Sequence, residues 1–344
     1  MVLGGLLPSS PLVATLVIIA TTGVIWIGSG WLETSAEHLS AYYGLPPVVQ
    51  GSVVVAVGSS FPELASVVIT ALAGVFNMGV GAIVGSAIFN ILVIPAVAGL
   101  AADGSLEANR TLVYKEAQFY MIAVATLVIT LALGVIYVPV SDGPELAGQL
   151  TRPLAMLPLL LYGLYLFIQW QDVSDHTAES VSNLSIAREW ATLAAGLLLI
   201  LVGVEQLVGG VEILVHAFGI PEFLAGVTII AAATSLPDTL VSVRAAREGN
   251  ALTSLGNVLG SNTFDLLVAI PIGVLIRGTV AVDFAVAVPM FGVLTLATVL
   301  LFTFLRTELS VTTVEAAVLL VAYGVFVAWV AAETAGIVDL VSAA

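Results

Sequence analysis

Moved along by 175 positions, this sequence meets itself without a gap. Gly28 falls on Gly203, Glu37 on Glu212, Gly44 on Gly219 and Pro46 on Pro221. The register continues with Gly51 on Gly226, Ser60 on Ser235, Pro62 on Pro237 and Glu63 on Asp238, and it reaches Gly85 on Gly260, Ser86 on Ser261, Phe89 on Phe264 and Asn90 on Asp265. A constant offset over such a length marks a duplicated structural unit. Composition says what the unit is made of. Of 344 residues, 60% are hydrophobic and 9% charged, more apolar than a soluble domain needs, so the class is polytopic membrane protein. A helix needs roughly 20 apolar residues to cross a bilayer. Ten runs qualify, near 11–32, 46–73, 77–101, 117–140, 153–170, 190–215, 221–243, 251–276, 282–305 and 314–334. The first lacks a basic leader and a cleavage site, and reads as a retained helix. Each copy then holds five spans. Five is odd, so the second copy enters the membrane from the opposite side. The expected fold is all-α and polytopic: ten transmembrane helices in two inverted five-helix repeats. The first repeat spans 1–170, a polar linker 171–188, and the second repeat 189–344.

Two spans interrupt themselves at matching places. "AVGSSFPELAS" (56–66) and "AAATSLPDTLVS" (231–242) each carry a proline followed by an acid. Pro62 has no N–H to give Gly58, and Pro237 none to give Ala233, so those carbonyls lose their helical partners. Polar backbone at membrane depth must be satisfied, and a cation can do it. Ser59, Ser60 and Glu63 gather around one turn, and Thr234, Ser235 and Asp238 form the counterpart. On the following helices, "GSAIFN" (85–90) and "GSNTFD" (260–265) put Ser86 with Asn90, and Ser261 with Asp265, on single faces. Gly81 and Gly85, like Gly256 and Gly260, are spaced to let helices approach closely. Broken helices in corresponding halves point to a secondary transporter's midplane site. Its donors are all oxygen, which suits hard cations such as Na⁺ and Ca²⁺ rather than transition metals. Histidines stand far apart at 38, 176 and 216, and there is no cysteine. A proline kink or one protonated acid is a common structural device. Three acids at repeat-related positions are not, because a charge at the bilayer centre costs at least ~2.5 kcal/mol.

The net charge is −15, with Lys115 the single lysine. Such an acidic surface suits concentrated salt and reads as halophilic. Arg110, Lys115, Arg188, Arg244, Arg247 and Arg306 fall on one side of the membrane, Arg152 and Arg277 on the other. The positive-inside rule then places both termini outside a cell membrane. Glu33, Glu37, Glu205 and Glu212 read as interfacial or capping groups at helix ends. Trp26, Trp31, Trp170, Trp190 and Trp329 read as aromatic belts.

"GSSFPE…GSAIFN" and "ATSLPD…GSNTFD" resemble the α-repeats of the cation/calcium exchanger superfamily, in particular its prokaryotic, archaeal sodium/calcium exchangers, with motif similarity to the K⁺-dependent branch. The resemblance runs through nearly the whole chain. It implies two gating helices sliding against a core of eight. It also implies that Glu63 and Asp238 are the central Ca²⁺ carboxylates, with backbone carbonyls from Ser59 and Thr234. Ser60, Ser86, Ser235 and Ser261 would bind Na⁺ with the carbonyls of Ala56 and Ala231, and Asn90 and Asp265 would form the polar pair between. Ala233 replaces the usual glycine, Ser59 a threonine, and Asp238 is shorter than the glutamate of some members. A large calcium-sensing insert is missing. The implied function is Na⁺/Ca²⁺ antiport, with K⁺-dependent exchange, H⁺/Ca²⁺ exchange and, further off, a cation channel as alternatives. No HExxH motif, cysteine or intramembrane lysine suggests an enzyme. No cofactor, nucleic acid or obligate protein partner is expected, only the lipid bilayer and the transported ions.

Overall fold

A computed structural model describes residues 10–45, 50–102, 105–140, 146–171 and 185–338. Most of the expected linker (172–184), Pro46 and His176 lie outside the described residues. Eight helices are long and apolar enough to cross a membrane unaided: α1 (Pro11–Tyr42), α3 (Phe76–Ala101), α4 (Leu112–Tyr137), α5 (Arg152–Gln171), α6 (Ile186–Phe218), α8 (Ala251–Arg277), α9 (Ala287–Glu308) and α10 (Thr313–Thr334). The remaining two crossings are bent pairs. In α2, Val53–Ser59 meets Phe61–Ala73 at 49°, and in α7, Glu222–Thr234 meets Leu236–Arg247 at 44°.

The bends follow from local chemistry. Pro62 and Pro237 each sit in the first turn of the second segment, where a missing N–H costs no helical bond. Glu63 and Asp238 follow in that same turn, where the positive end of the helix dipole favours a carboxylate. Each crossing carries a π-helical stretch ahead of its bend, Gln50–Val55 and Gly226–Ile230, at repeat-related positions. Gly58 departs from the expectation of a freed carbonyl. At the first break the capping N–H groups reach the carbonyls of Ala56 and Gly58, so Gly58 is not left free. A non-helical turn at Ser60 re-aims the chain and re-pairs what the proline released.

α1 runs ten residues past its apolar stretch. Residues 33–42, "ETSAEHLSAY", lower the hydropathy but hold no glycine or proline, and the chain turns only at Gly44, with φ +66°. Glu33, Glu37, Glu205 and Glu212 therefore lie within helix bodies rather than at helix ends, and Trp26 sits midway along α1. At 1.5 Å per residue, the 32 residues of α1 are about 48 Å long, against a hydrocarbon core of ~30 Å.

The all-helical expectation also missed two short antiparallel sheets. β1 (Leu106–Glu107) pairs with β4 (Ser310–Val311), and β2 (Ala147–Thr151) with β3 (Thr279–Asp283). β1 follows α3 and β4 precedes α10, whereas β3 follows α8 and β2 precedes α5. Exchanging the repeats exchanges the two sheets, as inversion requires.

The apolar interior falls into two bodies. The larger cluster draws on α2–α5 and α7–α10, through side chains such as Val84, Val124, Leu259, Leu294 and Leu319, and includes none from α1 or α6 among the described residues. The smaller joins Ile18, Ile25 and Leu32 of α1 to Ile200, Val204 and Leu207 of α6, resting on Met78, Ala82 and Ile230. Their seam is its own image under the repeat. A Cβ on Gly28 would stand 3.0 Å from Ile200 Cγ1, and one on Gly203 2.8 Å from Ile25 Cγ1. A helix pair packed on itself beside an eight-helix core is the division the resemblance implied.

Candidate cation-binding site

α2, α3, α7 and α8 bring the repeat-related polar residues together in the middle of the core. Ser59, Ser60, Glu63, Ser86, Asn90, Thr234, Ser235, Asp238, Ser261 and Asp265 are all fully buried. Two hydroxyl relays cross between the repeats. Ser235 of α7 donates to Ser86 of α3 at 2.8 Å, and Ser86 donates to Glu63 Oε1 of α2 at 3.3 Å. In the other direction Ser59 Oγ of α2 lies 3.1 Å from Ser261 Oγ of α8, which donates to Asp238 Oδ1 of α7 at 3.2 Å. Glu63 and Asp238 thus each accept from a serine of their own repeat, which is in turn bonded to a serine of the opposite broken helix.

The relays are not perfect images. One begins at Ser235, whose counterpart is Ser60, yet the other begins at Ser59. Ser60 Oγ consequently has no hydrogen-bond partner, although it sits beside Asp265. Thr234 sits beside Glu63, and its hydroxyl bonds back to Ile230 O at 3.1 Å. Ala56 O and Ala231 O each accept a backbone N–H at 3.0 Å, from Ser60 and Ser235. Each also accepts a side-chain hydroxyl, Ala56 O from Ser59 at 3.2 Å and Ala231 O from Thr234 at 3.5 Å, so a cation would reach either carbonyl only by displacing a hydroxyl.

What remains unpaired is informative. Ser60 Oγ, Glu63 Oε2, Asn90 Oδ1 and both carboxylate oxygens of Asp265 are buried without a hydrogen-bond partner. All are acceptors. Buried polar atoms are normally satisfied, and an orphaned set of oxygens is matched by a hard cation. Among the described residues no three acidic or imidazole groups close on one point, so hydroxyl and amide oxygens must complete any such centre.

Asn257 and Asn262 of α8 were not among the expected site residues. Asn90 Nδ2 donates to Asp238 Oδ2 at 2.9 Å and to Asn262 Oδ1 at 3.0 Å. Both amide protons of Asn90 are spent, and its Oδ1 is the atom left without a partner. Asn262 is itself anchored, donating to Ala87 O at 3.1 Å and to Tyr120 Oη at 3.3 Å. Asn257 Oδ1 lies 3.2 Å from Ser59 Oγ, as an alternative acceptor to Ser261 for the single Ser59 hydroxyl proton, and Asn257 donates to Ser242 Oγ at 3.2 Å. Their repeat counterparts are Ala82 and Ala87, so pairing the copies hid them. The signal was two asparagines in a span, one of them inside "GSNTFD". Asn262→Ala is expected to weaken apparent Ca²⁺ affinity roughly 3- to 10-fold, the worth of one hydrogen bond, in a folded protein. The Ca²⁺ dependence of transport measures it.

The sodium/calcium exchanger protein family matches residues 13–171 and 188–332. This chain belongs to that family. The exchanger is 26% identical over 255 residues to the uncharacterized membrane protein MJ0091 of Methanocaldococcus jannaschii, covering 73% of this chain and 78% of that protein. It is 33% identical over 143 residues to human sodium/potassium/calcium exchanger 5, covering 40% of this chain and 25% of the human protein. A structure of the sodium-calcium exchanger NCX_Mj, soaked with 100 mM Na⁺ and 10 mM Sr²⁺, aligns with a TM-score of 0.64 and 22% identity over 93% of this chain and 99% of that one. At that identity the likeness speaks for the fold alone. The exchanger shares it: inverted repeats with broken helices.

Proposed function

We propose that this membrane protein is a Na⁺/Ca²⁺ antiporter, in which Na⁺ entering drives Ca²⁺ out by alternating access. The observation that carries this reading is the set of five buried, unpaired oxygens shared by α2, α3 and α8. Ca²⁺ takes six to eight oxygens in flexible geometry, and neighbouring hydroxyls and carbonyls bring the set within that range. Glu63 and Asp238 serve both ions in turn. The α1–α6 pair acts as the gate, moving across the eight-helix core. The basic residues support a cell-membrane orientation with both termini outside.

Charge sets the stoichiometric problem. Glu63, Asp238 and Asp265 total −3 when ionised, which three Na⁺ neutralise. One Ca²⁺ leaves −1, and an uncompensated buried charge is costly. On our reading a proton on Asp265 accompanies Ca²⁺, and no K⁺ is needed. The likeness to a sodium/potassium/calcium exchanger supports a second reading, in which K⁺ binds beside Asp265 instead.

One experiment separates these and the H⁺-coupled alternative. Radiolabelled Ca²⁺ uptake is measured in Na⁺-loaded proteoliposomes, with Na⁺, H⁺ and K⁺ gradients varied independently. The expected result is uptake that follows the Na⁺ gradient and persists when choline replaces K⁺, with Asp265→Asn keeping substantial flux because an amide mimics the neutral acid. Uptake that vanishes without K⁺ in the native protein but not in Asp265→Asn would establish the K⁺ reading. A pH gradient sufficing without Na⁺ would establish H⁺/Ca²⁺ exchange, and flux uncoupled from any counter-ion a channel.

A further inference from the structure

The gating pair is symmetric along its seam but not along the face that α1 turns toward α2. Ser29, Glu33 and Glu37 follow at four-residue steps on α1 and so share a face. Ser29 is fully buried, and its Oγ has no hydrogen-bond partner. One turn on, Glu33 is half-buried as a residue, yet its Oε1 is shut off from solvent and also unpartnered. Its Cγ would stand 3.7 Å from a Cβ on Gly58, so the side chain rests on the turn just ahead of the α2 break. Asp238 is near enough for the two carboxylates to repel. One turn further, Glu37 is exposed.

The same positions on α6 are Val204, Val208 and Glu212, with both valines fully buried in the apolar cluster. Valine therefore suffices for packing at these positions. A serine and a glutamate left unpaired there are costly in a membrane interior, and such residues mark ion pathways.

We propose that Ser29, Glu33 and Glu37 form a cation relay on α1, in which Glu33 and Ser29 hold a partly dehydrated Na⁺ or Ca²⁺ between exposed Glu37 and the central site. The relay serves the membrane face at which α1 ends. Inversion carries the α6 counterpart to the opposite face, where the two valines offer no oxygen. The two access routes then differ at these two positions, a serine and a glutamate on one and two valines on the other. This inference rests on the exchanger reading of the central site.

The test is side-specific transport in proteoliposomes of known orientation. The chain has no cysteine, so a single one introduced just beyond Tyr42 lets an impermeant thiol reagent report which face is outside. Ca²⁺ is then varied on one face at a time for the native protein, Glu33→Gln, Glu33→Asp and Ser29→Ala. The expected result for Glu33→Gln is a several-fold rise in half-saturating Ca²⁺ at the face where α1 ends, with the other face and the saturated rate unchanged. Ser29→Ala should shift the same face by less, and Glu33→Asp should keep native behaviour because it keeps the charge. Equal shifts at both faces, no shift at either, or Glu33→Asp behaving as Glu33→Gln would each overturn the relay. Should Glu33→Gln fail to fold, Ser29→Ala and Glu33→Asp carry the same comparison. A native protein that exchanges no cations would instead sink the exchanger reading, so the two failures are distinct.

Discussion

Replacing Glu63 with glutamine, or Asp238 with asparagine, is expected to abolish nearly all Ca²⁺ exchange while the ten crossings still assemble. Removing one charge of a buried cation-carboxylate pair costs about 3–5 kcal/mol, which is about two orders of magnitude or more in occupancy. The two residues fail by different routes. Glu63 Oε1 accepts from Ser86 while Oε2 is unpaired, so glutamine keeps the shape and loses the negative charge facing the unpaired oxygens. Both oxygens of Asp238 are engaged, Oδ1 by Ser261 and Oδ2 by Asn90. An asparagine there must turn an N–H against one of those donors, releasing either the Ser261 hydroxyl or the Asn90 amide. Radiolabelled Ca²⁺ uptake tests the loss, with thermal unfolding as the control. Native protein should gain melting temperature with added Ca²⁺, since a ligand of the folded state stabilises it. The variants should melt near the ion-free native value and lose that gain. Native exchange rates in either variant would remove that residue from the centre.

Gly226→Ala is expected to be as damaging, although it touches no charge. α3 and the stretch of α7 from Phe223 to Val227 meet backbone to backbone. A Cβ on Gly226 would lie 2.0 Å from Met78 O and 2.9 Å from Ala82 N, one on Gly81 2.3 Å from Phe223 O, and one on Gly85 2.2 Å from Val227 O. These contacts involve main chain, so no rotamer can relieve them. Overpacking of this kind costs typically 1–3 kcal/mol, and more when only backbone can give. Relief must push α7 away from α3, which separates Ser235 from Ser86 and breaks the relay to Glu63. Loss of transport should therefore exceed the loss of folded protein. Gly256→Ala is the control: nothing lies within 4 Å of its Cβ position among the described residues, and alanine favours a helix by up to about 1 kcal/mol. Near-native transport by Gly226→Ala would show that the close approach is dispensable.

The breaks of α2 and α7 were legible because proline and the acid after it act within one helical turn. The end of α1 was not, because hydropathy reports lipid contact rather than helix continuity, and Glu33 through Tyr42 favour helix while being polar. The glycines were legible as a spacing, but the same spacing packs backbone on backbone at Gly85 and nothing at Gly256. Asn257 and Asn262 were hidden by the alanines of the first copy. The β-pairings escaped notice because they join loops far apart in the chain.

The sequence by itself determined the number of crossings, their inversion, where two of them break, and that the polar residues at the breaks are oxygen donors. Those properties belong to the covalent chain: length of apolar run, odd span count, proline without an N–H. Only the tertiary structure decided which oxygens stay unpaired. Ser59, Ser86, Ser235 and Ser261 are engaged by hydrogen bonds between helices, whereas Ser60, one oxygen of Glu63, the Asn90 carbonyl and Asp265 are left over. That division rests on distances of about 3 Å between residues some 150 to 200 positions apart, and it exists only once the four helices have packed.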